Sequence, residues 1–144
     1  MSAPRLGPRG PRRLASTSLV TLALGLAACG DSGPAAPPGP QAGQLSVVLS
    51  APTGAPSALL LRISGPGPMT AVTPGGPDQT AFAQGEGEAV ITAAVFGTLP
   101  DGVAVLRFRV PDVARADGYL ATLLQASDAA YAPLSASAYA VSVE

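Results

Sequence analysis

Residues 103 to 110, Val-Ala-Val-Leu-Arg-Phe-Arg-Val, decide the fold class. Ala104, Leu106, Phe108 and Val110 share one parity, and Arg107 and Arg109 share the other. Successive side chains of a strand point to opposite faces, so this alternation describes a strand with one face in a core and one in water. The same period runs outward along the chain. Residues 45 to 49 place Leu45, Val47 and Leu49 on one face. Residues 58 to 64 place Leu59, Leu61 and Ile63 inward, with Arg62 and Ser64 outward. Residues 89 to 96 are apolar on both parities, as in a central strand buried on both sides, and parity there puts Phe96 in the core with Phe108. Residues 119 to 126 and 137 to 143 complete the set, with Tyr139, Val141 and Val143 on one side of the last. Short pieces at Met69 to Thr73 and Thr80 to Ala83 read as edge strands.

Turn chemistry separates these runs. Pro52-Thr53-Gly54, Gly65-Pro66-Gly67-Pro68, Pro74-Gly75-Gly76-Pro77 and Pro100-Asp101-Gly102 carry the residues that let a chain reverse. Residues 112 to 132 are open to two readings. Leu120, Leu123 and Leu124 fit a helical spacing, whereas Gly118, Tyr119 and Thr122 favour a strand. A short helical turn is expected at Asp112 to Ala116, after Pro111. Many short strands between frequent turns make an all-β sandwich or a small barrel. The block from Phe96 to Phe108, in which Asp101-Gly102 leads into alternating apolar residues, resembles the strands of cohesins and carbohydrate-module sandwiches. That resemblance implies a single immunoglobulin-like or cohesin-like antiparallel β-sandwich of about seven to nine short strands.

The N-terminus is built differently. Arg5, Arg9, Arg12 and Arg13 precede an uncharged run from Leu14 to Ala28, which closes as Leu26-Ala27-Ala28-Cys29. A positive segment, a short apolar segment and small residues at a cleavage point make a secretory signal. The run is shorter than the roughly 20 residues a membrane span needs. Arg12-Arg13 also reads as a twin-arginine export signal, but Leu14-Ala15-Ser16 matches that signal poorly. Leu26-Ala27-Ala28-Cys29 resembles the lipobox of bacterial lipoprotein precursors. The resemblance implies cleavage between Ala28 and Cys29, a diacylglyceryl thioether on Cys29, and acylation of its new amino group by palmitate-type chains. It also implies outer-membrane sorting in a double-membraned organism, because Gly30 rather than aspartate follows Cys29. Each buried methylene contributes roughly 0.8 kcal/mol, so two or three chains make a stable anchor. Residues 30 to 43 are rich in proline and glycine and have little to bury. They read as a tether spanning at most about 43 Å. The expected organisation is a cleaved signal peptide over 1–28, comprising the signal helix, then the lipidated cysteine and disordered tether over 29–43, then the β-sandwich domain over 44–144.

The residue inventory excludes more chemistry than it suggests. The chain has no histidine, all its basic residues are arginine, and Cys29 is its one cysteine. Histidine catalysis, Ser–Lys dyads, Schiff bases, thiolate metal sites and an internal disulfide have no residues to use. After cleavage, Arg62, Arg107, Arg109 and Arg115 stand against all nine acids. An acidic domain is unsuited to nucleic acid, whose phosphates need clustered cations. A carboxylate-based hydrolase needs two carboxylates at a set separation. Asp78, Asp101, Asp112, Asp117 and Asp128 sit in turns, where aspartate usually bonds its own backbone. Glu86-Gly87-Glu88, and Asp112 with Asp117, are candidate oxygen ligands for calcium but lack the spacing of an EF-hand loop.

Arg107 and Arg109 project about 6.8 Å apart on one strand face. With Arg62 of like outward parity, they form either a small basic spot for an acidic partner or glycan carboxylate, or charge on a solvated face. Phe82 and Tyr131, in loop-like contexts, are the candidates for exposed aromatic contact. The glycine- and proline-rich region 65 to 87 is the expected variable surface. Together these features predict a membrane-anchored lipoprotein of the cell envelope, not an enzyme, with no cofactor and no metal. Its β-sandwich is expected to act as an envelope binding or structural module. The expected partners are the membrane, through Cys29, and an envelope protein or glycan, with no nucleic acid. The alternative is an accessory subunit of a cell-envelope assembly, and a carboxylate-based hydrolase ranks third.

Overall fold

The computed structural model describes residues 38 to 144. The expected signal peptide, the Ala28–Cys29 cleavage point and the tether up to residue 37 lie outside the described residues. The strands are β1 (Gly43–Ser50), β2 (Ala58–Ser64), β3 (Thr70–Pro74), β4 (Gln79–Gln84), β5 (Val90–Gly97), β6 (Ala104–Val110), β7 (Leu120–Ser127), β8 (Pro133–Leu134) and β9 (Ala140–Val143). They form two antiparallel sheets, one of four strands in the order β3-β6-β1-β9 and one of five in the order β4-β5-β2-β7-β8. The domain is an all-β sandwich. The short pieces expected at sheet edges are edges: β3 closes one side of the four-stranded sheet and β4 one side of the five-stranded sheet.

The inner faces follow the period-two reading. Leu45, Val47 and Leu49 of β1, Leu59, Leu61 and Ile63 of β2, and Ile91, Ala93 and Val95 of β5 are all buried. Phe108, Leu106 and Val110 of β6, beside β1 in the four-stranded sheet, complete that sheet's inner face opposite β2 and β5. Burying each large side chain stabilises the fold by roughly 1.5–3 kcal/mol, and with no internal disulfide available this packing carries the domain. Tyr139, Val141 and Val143 pack on one margin of this core as expected.

Two details of parity differ from the alternation. In β6, Val47 pairs with Leu106 but Val48 pairs with Ala104, so Val105 is an inserted residue. The bulge turns Val105 into the core and leaves Ala104 half-buried. In β5, the second apolar parity does not enter a core. Val90 and Phe96 are exposed, and Phe96 lies on the outer face. A two-layer sandwich buries only one face of each sheet, so the apolar outer face of β5 meets water.

The ambiguous stretch resolves as a strand. Residues 120 to 127 pair along β2, with an irregularity at Leu124 between the Leu60–Gln125 and Leu61–Leu123 pairs. The helical turn after Pro111 is a 3-10 helix, Val113–Gly118. Asp112 caps it, accepting at Oδ1 from Ala114 N at 3.1 Å and from Gln41 N at 3.2 Å. Val113 N donates to Gln41 O at 2.8 Å, and the Val113 side chain sits against Gly43. The chain thus enters the domain clamped beside the end of β6. Behind this helix the buried Tyr119 ring lies 5.9 Å from the Phe108 ring, tilted at 51°, and packs against Gly65. Burial pushes the Tyr119 phenol above its ordinary value; Arg115 opposes the shift and Asp112 adds to it.

Candidate functional site

The outer face of the five-stranded sheet is where the residues of interest gather. Its register sets Phe82 of β4, Ala94 of β5, Leu60 of β2 and Gln125 of β7 in one cross-strand row. The adjacent row runs Thr80, Phe96, Ala58 and Ser127. Neighbouring strands lie about 4.8 Å apart, so each row is one contiguous surface. Phe82 is 65% exposed and Phe96 39%, and their rings meet edge-on with centroids 6.3 Å apart. Aromatic pairs favour this geometry, which holds both rings in place while leaving surface in water.

The third ring comes from the loop between β7 and β8. Tyr131 is 82% exposed and adopts a left-handed backbone with φ 62°. That conformation costs a residue with a Cβ of order 1 kcal/mol and needs a surrounding structure to hold it. Asp128 supplies that structure. Its Oδ1 accepts from Ala130 N at 2.8 Å and Ala132 N at 2.9 Å. Its backbone N–H donates to Ala132 O, and its carbonyl accepts from Tyr131 N, each at 3.1 Å. The loop is therefore a tight, bonded hook with an aromatic ring at its tip.

Tyr131 divides two clefts. One, of 310 Å³, is lined by Leu60, Ala94, Phe96, Gln125 and Ser127. The other, of 410 Å³, is lined by Ser57, Asp78, Phe96, Thr98 and Asp128. Ala58, Phe96 and Tyr131 are common to both. At the far margin Gly97, at φ 121°, has no room for a Cβ because the Asp78 carbonyl lies against it.

The arginines do not form one spot. Arg107 and Arg109 are exposed on the outer face of the four-stranded sheet, whereas Arg62 is exposed on the outer face of the other sheet. The two faces point away from each other, so shared outward parity did not mean proximity. Arg109 borders a separate cleft of 520 Å³ with Gln44, Thr70, Pro68 and Pro111, beside the point of chain entry. Phe82 is a strand residue rather than a loop residue, and residues 65 to 87 include β3 and β4. The aromatic surface centres instead on Phe96 and Tyr131. Phe96 was missed as a surface residue because parity alone does not say which face of a strand is covered.

Four carboxylates serve the backbone. Asp101 Oδ1 accepts from Ala51 N at 2.6 Å and Glu86 Oε1 from Val72 N at 2.7 Å, in addition to the Asp112 and Asp128 bonds. Among the described residues no three of His, Cys, Asp or Glu come together as a metal site. No helix among them is long and apolar enough to cross a membrane. Compared with family models, with curated proteins and with solved structures, the chain matches none.

Proposed function

We propose that the chain is a lipid-anchored lipoprotein of the cell envelope whose β-sandwich is a non-catalytic binding module. One observation carries the binding half of this reading: Phe82 and Phe96 stand in water on one sheet face, and the exposed Tyr131 ring stands beside them on a loop. Exposed aromatic surface is costly to keep and marks interaction sites. The strained hook of Tyr131 supports the same reading, because backbone strain concentrates where function demands a side chain in a set place. The anchor half rests on Leu26-Ala27-Ala28-Cys29.

Within the domain, the aromatic surface lies at the far end of the strands from Gly43. The chain enters β1 at Gly43, and Ala58, Phe96 and Ser127 lie at the other end of the strands. Seven residue steps of about 3.3 Å separate these ends by roughly 23 Å. The test of the anchor is Cys29→Ser in cells fed a radiolabelled fatty acid. The expected result is loss of label and release from the membrane fraction. Label that persists on the variant refutes lipidation at Cys29. An accessory-subunit role would show instead as one stoichiometric protein partner bridged to the aromatic face.

A further inference from the structure

We propose that the paired clefts around Tyr131 are adjoining subsites for uncharged sugar rings of an envelope glycan. This rests on the binding-module reading and names its ligand class. A pyranose ring has an apolar face of axial C–H groups and a rim of hydroxyls. The clefts offer the complement. Tyr131 and Phe96 line both, and polar residues complete the linings: Gln125 and Ser127 in one, Asp78, Thr98 and Asp128 in the other. Asp78 and Asp128 line one of the clefts, and no arginine lines either, which disfavours an anionic ligand.

Size and openness agree with a chain rather than a capped small molecule. The volumes, 310 and 410 Å³, each fall in the range of about 300–1,000 Å³ usual for small-ligand sites. They share Phe96 and Tyr131 as a common ridge, so successive units of one oligosaccharide can occupy both. The ridge is preorganised. Phe96 is braced by Phe82, and Tyr131 by four hydrogen bonds of the Asp128 loop. A rigid platform loses little entropy on binding, which matters for a ligand held by weak stacking.

The test uses the full-length protein in detergent. It is applied to immobilised neutral polysaccharides (β-glucans, mannans, galactans and β-1,4-linked N-acetylglucosamine oligomers) and, in parallel, to acidic ones. The expected result is retention on at least one neutral glycan. Tyr131→Ala and Phe96→Ala should each weaken it about tenfold, while Arg109→Ala, on the other sheet, binds as the parent does. Matching denaturation midpoints establish that the variants fold. Retention only on acidic glycans, no retention at millimolar sugar, or indifference to Tyr131→Ala overturns the sugar assignment. A photocrosslinker at position 131 in cells separates the two levels of inference. A protein adduct without glycan binding overturns the sugar assignment and leaves the binding-module reading standing. No adduct and no glycan binding overturns both.

Discussion

The contact between Gly65 and Tyr119 allows the packing of the domain to be tested as a double-mutant cycle. A Cβ built on Gly65 would run into three atoms of the Tyr119 ring. The ring has little room to retreat on its inner side, because Tyr119 is 3% exposed and Phe108 lies against it. Overpacking of a pinned group costs about 1–3 kcal/mol, and the upper end is expected here. Tyr119→Ala removes a buried ring and costs about 3–5 kcal/mol. The double variant loses the ring but has no clash, and its new methyl group fills part of the void. It should therefore be no less stable than Tyr119→Ala alone, giving a coupling of about 2–3 kcal/mol. In a domain of this size each kcal/mol moves the melting temperature by roughly 4–8 °C, so Gly65→Ala should lower it by about 10–20 °C. Urea denaturation of the four proteins measures the cycle. Additivity within about 0.5 kcal/mol, or a Gly65→Ala variant as stable as the parent, would refute the packing argument.

Other outcomes follow from single contacts. Tyr131→Gly should be about 1 kcal/mol more stable than Tyr131→Ala, because both lose the ring but only alanine keeps the left-handed strain; equal midpoints in urea would count against a strained hook. Asp101→Ala should cost about 1–2 kcal/mol by orphaning Ala51 N, and Asp101→Asn should recover most of it, since the amide oxygen still accepts; thermal melts of the two variants give the comparison. Asp128→Ala should speed hydrogen exchange at Ala130 and Ala132 without unfolding the sheets, which NMR exchange rates resolve. Burial raises the Tyr119 phenol, so the fold favours the neutral form. That contribution is fully present below the ordinary phenol value of about 10 and is lost as pH rises through the raised one. Tyr119→Phe should flatten the stability-versus-pH curve from a pH of about 10 upward relative to the parent, and parallel curves would contradict it.

Much of the fold was legible because local signals and tertiary demands agreed. Leu45, Val47, Leu49, Leu59, Leu61 and Ile63 are core residues by alternation and by burial alike. The proline and glycine turns bound the same strands in both descriptions. Even the capped turn at Asp112 was readable, since Pro111 and aspartate are local start signals. Alternation failed where one residue was inserted. The Val105 bulge shifts the phase of β6 by one, and no local composition marks it.

The sequence by itself determined the period, the turns and the absence of histidine and lysine, because those depend on residue type and near neighbours. It also carried Leu26-Ala27-Ala28-Cys29, the stretch on which the proposed anchor rests. Tertiary structure alone decided which apolar surface stays wet. Phe96 is as hydrophobic as Phe108, yet Phe108 faces the opposing sheet and Phe96 faces water. Sheet assignment likewise parted Arg62 from Arg107 and Arg109 and brought Tyr131 to Phe96 across β2 and β7. A strand's two faces are equivalent in sequence until a second sheet covers one of them. That choice turned a stretch that read as core into the aromatic face of this domain.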